Sequence, residues 1–472
     1  MSNSTPTRRT LSAILSMSLL AAVLAGCGGG GGSAAVPPVQ QQPPANIPPL
    51  NLAYAGVGVI KVQAVAGMRV ALMERIRPFA DTVMPDRILE IAADGVPATR
   101  YVPEPGWSLV DVALHPSRQT SLVLSNGIVL RLVRLDPQGG KLADRPFSDA
   151  QAAGDPYFGP PSAVRDRSNM SPWKTWDAVR IAALGEHLGM ALRTGGNGVV
   201  AYRLQYDAAN YRQQWRTLVE PGVYLDAQAL RGGSFDPFQG LENHWQLVLG
   251  ADERGRMAVA VLAGERTELA EGHRRQFGEA PPAGFVNGVL LTQVDAAGAR
   301  GRTIWIDTGE KSEVHALAWT GDTILAAGRV RTARPDDGAG WDGWLAQLDA
   351  GSQRLASYRR IDVDRGDIVQ ALLPLGDDRV LLAGSTGYTQ NPGGESVSEA
   401  TSPLLAMLRL ADGSVNRLAL TAGPRGNQVR ALAVSGNDWL VGGIEDAPGT
   451  HSADNAPASL TMNGYLRGMK AQ

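Results

Sequence analysis

The stretch VHALAWTGDTILAAG, residues 314–328, decides the reading of this chain. A short apolar run ends at Gly321-Asp322, a dipeptide suited to a tight hairpin turn, and a second apolar run ends at Gly328. The plan returns in VQALLPLGDDRVLLAG, residues 369–384, and in VRALAVSGNDWLVGG, residues 429–443. Successive starts at 314, 369 and 429 lie 55 and 60 residues apart. Self-similarity on that scale marks a repeat architecture.

Each repeat carries more than its hairpin. After the second copy come a polar loop (386–402), an apolar strand (404–410), a turn (411–414) and a further strand (415–420). The copy before it adds strands at 341–348 and 354–361 around a turn at 349–351. Four strands of this length form one propeller blade. Weaker copies run upstream, giving a fourth blade from residue 245, a third from 179, a second from 109 and a first from 59. The seventh shows three strands, at 429–468, before the sequence given ends, and residues 52–57 are the candidate for its fourth. Such a shared blade closes the ring and hides both sheet edges. The expected fold is all-β: a single β-propeller over residues 51–472, with seven four-stranded blades. The rival arrangement is a pair of smaller β-domains split near Gly240.

The runs GDDRVLLAGSTG (376–387) and LRLADGS (408–414) resemble bacterial SBBP-type β-propeller repeats. That resemblance implies a fold and no particular activity, because propellers host unrelated functions.

The front of the chain reads as an address. Arg8 and Arg9 precede an apolar run over 11–25, which ends in Leu24-Ala25-Gly26-Cys27. A positive region, an apolar region and small residues at a cleavage point make an export signal, here residues 1–26. Leu24-Ala25-Gly26-Cys27 resembles the lipobox of bacterial lipoproteins, which implies cleavage before Cys27 and diacylglycerol and palmitate on the new terminus. Cys27 is the only cysteine, and lipidation removes the oddity of an unpaired thiol in an oxidising compartment. Gly28, where Asp would favour the inner membrane, implies an outer-membrane lipoprotein. Arg8-Arg9 also resembles part of a twin-arginine signal. Residues 27–50, rich in Gly, Pro and Gln, lack apolar periodicity and read as a disordered tether.

Composition narrows the function classes. Net charge is −2, with no dominant basic face, which argues against a nucleic-acid partner. The histidines are scattered without a paired spacing, so no metal or other cofactor is expected. Asp362-Val363-Asp364-Arg365-Gly366-Asp367 opens like a calcium loop, but position 12 is Leu373 where a bidentate Glu is needed, so it reads as a turn between blades. The Asp336-Asp337 and Asp377-Asp378 pairs read as turn formers, and the 195–198 run of Gly and Asn as a hairpin turn. No Gly-x-Ser-x-Gly elbow occurs. His187 and His315 are the best general-base candidates.

Aligning the first strands of the blades gives one polar column: Lys61, Asp111, Arg180, Gln246, His315, Gln370 and Arg430. Lys61, His315, Gln370 and Arg430 are each followed six positions later by glycine, at Gly67, Gly321, Gly376 and Gly436. The first strand of a blade borders the central channel, so these residues are expected to ring it. The ring leans cationic and suits an anionic or hydroxylated ligand. Water in the channel would also account for polar residues there.

Three stretches break the strand rhythm: 148–177, with Tyr157, Phe158, Trp173 and Trp176; 221–244, with Tyr224, Phe235 and Phe238; and 268–285, with His273, Arg274 and Arg275. They read as loops, which carry function more often than frameworks do.

The expected function is an envelope-anchored, non-enzymatic scaffold or binding module. Its partners are the membrane, through lipid on Cys27, and a protein or glycan of the envelope. One alternative is a hydrolase or lyase of glycans or other polymers working at the channel mouth. Another is an assembly factor for outer-membrane proteins, similar in architecture to the propeller lipoprotein of the barrel-assembly machinery.

Overall fold

A computed structural model describes residues 51–470, except 56, 76–86, 93, 127–128, 148–178, 194–197, 222–246, 264–266, 333–339, 365, 377, 388, 391–395, 398–400, 421–426 and 446–462. The described residues form seven four-stranded antiparallel sheets and one two-stranded hairpin. The strands facing the axis are Val57–Val65, Ser108–Leu114, Val179–Leu184, Leu247–Ala251, Ser312–Thr320, Ile368–Pro374 and Gln428–Ser435. Each touches the next, and the last returns to the first. The molecule is a seven-bladed β-propeller.

The last blade is completed from the front of the chain. Asn51–Ala55 pairs antiparallel with Asn463–Lys470, from Asn51 opposite Arg467 to Ala55 opposite Asn463. The closing strand is thus shorter than the 52–57 expected, because Val57 already begins the inner strand of blade one. The split near Gly240 does not occur. The inner strands of blades three and four, on either side of it, touch and share a core.

That core is divided. Each of the seven junctions between neighbouring blades holds its own apolar cluster, such as Val110, Val123, Ile181 and Met190 between blades two and three. A blade therefore has two dry faces, and its middle strands are mostly apolar. Met257–Leu262, MAVAVL, is buried throughout. Outer strands face water along one edge and alternate, as in Lys141–Phe147.

The glycine that ends each repeat has a steric cause. In blades five, six and seven the inner strand carries a β-bulge, with His315, Gln370 or Arg430 as the extra residue. Val314, Val369 and Val429 pair there with Gly328, Gly384 and Gly443. A Cβ on any of these glycines would land on the carbonyl oxygen of Glu313, Ile368 or Gln428. In blade five the same Glu313 carbonyl accepts the Trp344 indole N–H at 3.0 Å.

Two sequence expectations change. Residues 268–285 are not simply a loop: Thr267–Phe277 forms a helix, α1, between the second and third strands of blade four. Its exposed Arg274 and Arg275 pair with Glu271 on the same helix, so neither reaches the channel. The outer strand of blade six is only Val415–Arg417, not 415–420. The stretches 148–177 and 222–244, the 195–197 turn and Asp336-Asp337 lie outside the described residues, as does everything before Asn51.

Candidate functional site

The inner strands enclose a central cavity of about 500 Å³. Lys61, Asp111, Arg180, His315, Gln370 and Arg430 all line it, and Gln246 lies outside the described residues. The six come from six blades, so only ring closure brings them together.

They do not, however, occupy one structural column. In blades one and two the bulge's extra residues are Ile60 and Val110, and Lys61 and Asp111 follow one step later. In blade three there is no bulge, and Arg180 pairs regularly with Ala191. Turn chemistry explains the slip. Blade one turns through Ala66-Gly67, both at positive φ, whereas blade five turns through Gly321, with positive φ at its first residue alone. An equal six-residue spacing to glycine therefore conceals a register offset of one. The offset does not take Lys61 or Asp111 off the wall, because both bulge residues face the channel: Ile60 and Lys61 line it together, as do His315 and Ala316.

The cationic lean is uneven. Lys61 Nζ donates to Asp111 Oδ1 at 2.7 Å and to the Ile181 carbonyl at 3.2 Å. Asp111 also accepts the amides of Val112 and Ile181, each at 2.8 Å. Its side chain is 4% exposed. This carboxylate clasps three blades and neutralises Lys61. On the flanking blades three and seven, Arg180 donates to its neighbouring Val179 carbonyl, and Arg430 donates to Gln428 Oε1 at 3.0 Å. Gln370 Oε1 is buried without a hydrogen-bond partner among the described residues.

His315 Nε2 lies 3.3 Å from Glu313 Oε2, and Arg329 forks onto the same carboxylate at 2.8 and 2.6 Å. Burial alone would raise the Glu313 carboxyl, but Arg329 and His315 hold it well below the usual range. His315 is thus held by a carboxylate that is itself committed. His187 does not line the cavity. Burial, aided by Arg203, lowers the pKa of its imidazole.

Asp111 is the one carboxylate among the described wall residues. No opposed pair is present there for glycoside chemistry, which needs two carboxyls flanking the bond. Among the described residues no His, Cys, Asp and Glu group is arranged to hold a metal ion. Asp367 confirms the turn reading of 362–367: its Oδ2 accepts the Val363 amide at 2.5 Å and the Asp364 amide at 3.1 Å. No helix among the described residues is long and apolar enough to cross a membrane.

A second charged cluster escaped the sequence reading, which placed His273 in a loop. Helix α1 carries His273, fully buried, with Nε2 2.6 Å from Glu220 Oε2 and Nδ1 3.6 Å from Glu279 Oε2. Arg300 donates to both Glu279 oxygens, at 3.0 and 3.1 Å. Burial opposes charge on His273, yet the two glutamates prevail and raise its pKa to about 9. The signal that could have revealed it was ELAEGHRRQF, whose apolar and polar residues alternate at helical spacing.

No protein-family model matches the chain, and no curated protein matches it either. Solved structures do. Virginiamycin B lyase from Staphylococcus aureus is similar over 89% of this chain and 98% of its own, at 8% identity and a TM-score of 0.45. The β-propeller domain of the Trilobed protease from Pyrococcus furiosus, described as having an open velcro topology, covers 89% of this chain and 96% of its own, at 8% identity and TM-score 0.44. YCF48 bound to D1 peptide covers 88% and 96%, at 11% identity and TM-score 0.42. Likeness at this level carries no argument about activity.

Proposed function

We propose that this protein is an envelope-anchored, non-enzymatic binding module whose central channel holds a small hydroxylated anion, such as an acidic sugar. One observation carries the reading. The described channel wall presents Lys61, Arg180 and Arg430 with Asp111 as its one carboxylate, which accepts from Lys61 and from two backbone amides. Such a wall suits a carboxylate or sulfate through charge-assisted hydrogen bonds. With no carboxyl facing Asp111 among the described wall residues, the arrangement favours binding over hydrolysis. The anchor is lipid on Cys27, and the site of action is the outer membrane; Leu24-Ala25-Gly26-Cys27 and Gly28 support both.

A thermal-shift screen of the protein against acidic, sulfated and neutral sugars tests this function. A ligand at a hundred times its Kd stabilises by about 2.7 kcal/mol. Acidic sugars should raise Tm, and Arg180→Ala with Arg430→Ala should abolish the rise. Equal shifts with neutral sugars, or shifts kept in the double variant, would refute the channel site.

A further inference from the structure

The insert that interrupts blade four builds a second cavity, remote in origin from the channel. It measures about 840 Å³ and lies between the end of α1 and the outer strands of blades four and five. Phe277, Ala280, Pro282, Ile304, Trp305 and Leu355 supply apolar wall. Arg302 and Arg354 are exposed on the same lining. Neither guanidinium has an ion-pair or hydrogen-bond partner among the described residues. The Trp305 indole is 8% exposed, and its Nε1 donor is buried without an acceptor. An orphaned indole N–H is costly to bury and is normally matched by an acceptor.

Both walls are fixed in advance. On the helix side, Arg300 grips Glu279 and lies over the Phe277 ring at 3.5 Å, while His273 packs edge-on against Trp305 at 5.2 Å. Glu279, the carboxylate on this lining, is thereby neutralised. On the other side, Gln353 takes up left-handed backbone and its Oε1 accepts the Arg302 amide at 2.7 Å. A Cβ at Gly301 would meet the Gln353 side-chain amide at 2.7 Å, so the two residues are in close contact.

We infer that this cavity binds a small amphipathic carboxylate, an aromatic ring or short acyl chain bearing one anionic group. The apolar body lies against Phe277, Pro282 and Trp305, and the anion meets Arg302 and Arg354. Charge complementarity selects an anion here, since the two unpaired charges on the lining are both positive.

The test uses 8-anilinonaphthalene-1-sulfonate as a fluorescent occupant, displaced by 4-phenylbutyrate or by the neutral 4-phenylbutanamide of the same shape. The acid should displace the dye about tenfold better than the amide, the scale of one charge-assisted hydrogen bond. Arg302→Gln with Arg354→Gln should remove that advantage and leave the amide unchanged. Arg118→Gln, an exposed arginine of blade two outside both cavities, should alter nothing. Equal displacement by acid and amide overturns the inference without requiring any variant to fold. Unsaturable dye binding, an acid preference kept in the double variant, or its loss in Arg118→Gln would overturn it equally.

Discussion

Lys61 of blade one and Asp111 of blade two meet at 2.7 Å, and the second Asp111 oxygen accepts the Ile181 amide of blade three. One buried carboxylate thus ties three blades together beside the axis. Asp111→Ala should destabilise the protein by about 3 kcal/mol, since it strands Lys61 and leaves backbone donors unpaired. Asp111→Asn, which keeps one acceptor, should lose less. Urea unfolding of both variants checks the order.

The repeat-ending glycines make a sharper prediction. Gly328→Ala and Gly384→Ala place a methyl group on the Glu313 and Ile368 carbonyls. Each should cost about 2–3 kcal/mol by overpacking. At Gly321, where the added Cβ meets open space, the cost would come from positive φ alone and should be nearer 1 kcal/mol. Equal losses at 321 and 328 would remove the bulge as the reason for the signature.

Two buried histidines bracket the stability optimum. Burial, helped by Arg134, lowers His115 to about 4, and the glutamates raise His273 to about 9. His273 contributes fully below its unfolded value near 6.5, and that contribution is lost as pH rises through 9. His115, neutral in the fold, contributes fully above 6.5, and that contribution is lost as pH falls toward 4. Glu279, whose pKa is depressed, adds a further loss on the acid side. Tm should peak near pH 6.5. His273→Gln should flatten the alkaline limb, on which His273 is worth about 3 kcal/mol at most. An unchanged alkaline limb in that variant would contradict the charged His273.

The proposed membrane address can be tested apart from the fold. Alkyne-tagged palmitate should label the protein in cells of a Gram-negative host, and Cys27→Ser should abolish labelling and release the protein from the outer-membrane fraction. Labelling retained in that variant would rule out the lipobox reading.

The blades were legible because two dry faces force unbroken apolar runs, as at 257–262, and because the bulge carbonyls demand glycine at 328, 384 and 443. That six of the polar residues line the channel was legible too, but not their register. Counting back from Gly67 and Gly321 equates two different turn types, and a bulge inserts a residue that no spacing reveals. The Lys61–Asp111 pairing was hidden because the packing of two neighbouring blades creates it, between residues 50 apart in sequence. The cavity beside α1 was hidden because it depends on Gln353, whose left-handed backbone brings it onto a neighbouring blade.

The most direct measurement is a crystal of the protein soaked in selenate, with anomalous diffraction at the selenium edge. A binding channel predicts a selenium peak inside the ring, within hydrogen-bonding distance of Arg180 or Arg430 and absent from the Arg180→Ala, Arg430→Ala variant. An empty channel, with selenate found only on the outer surface, would contradict it.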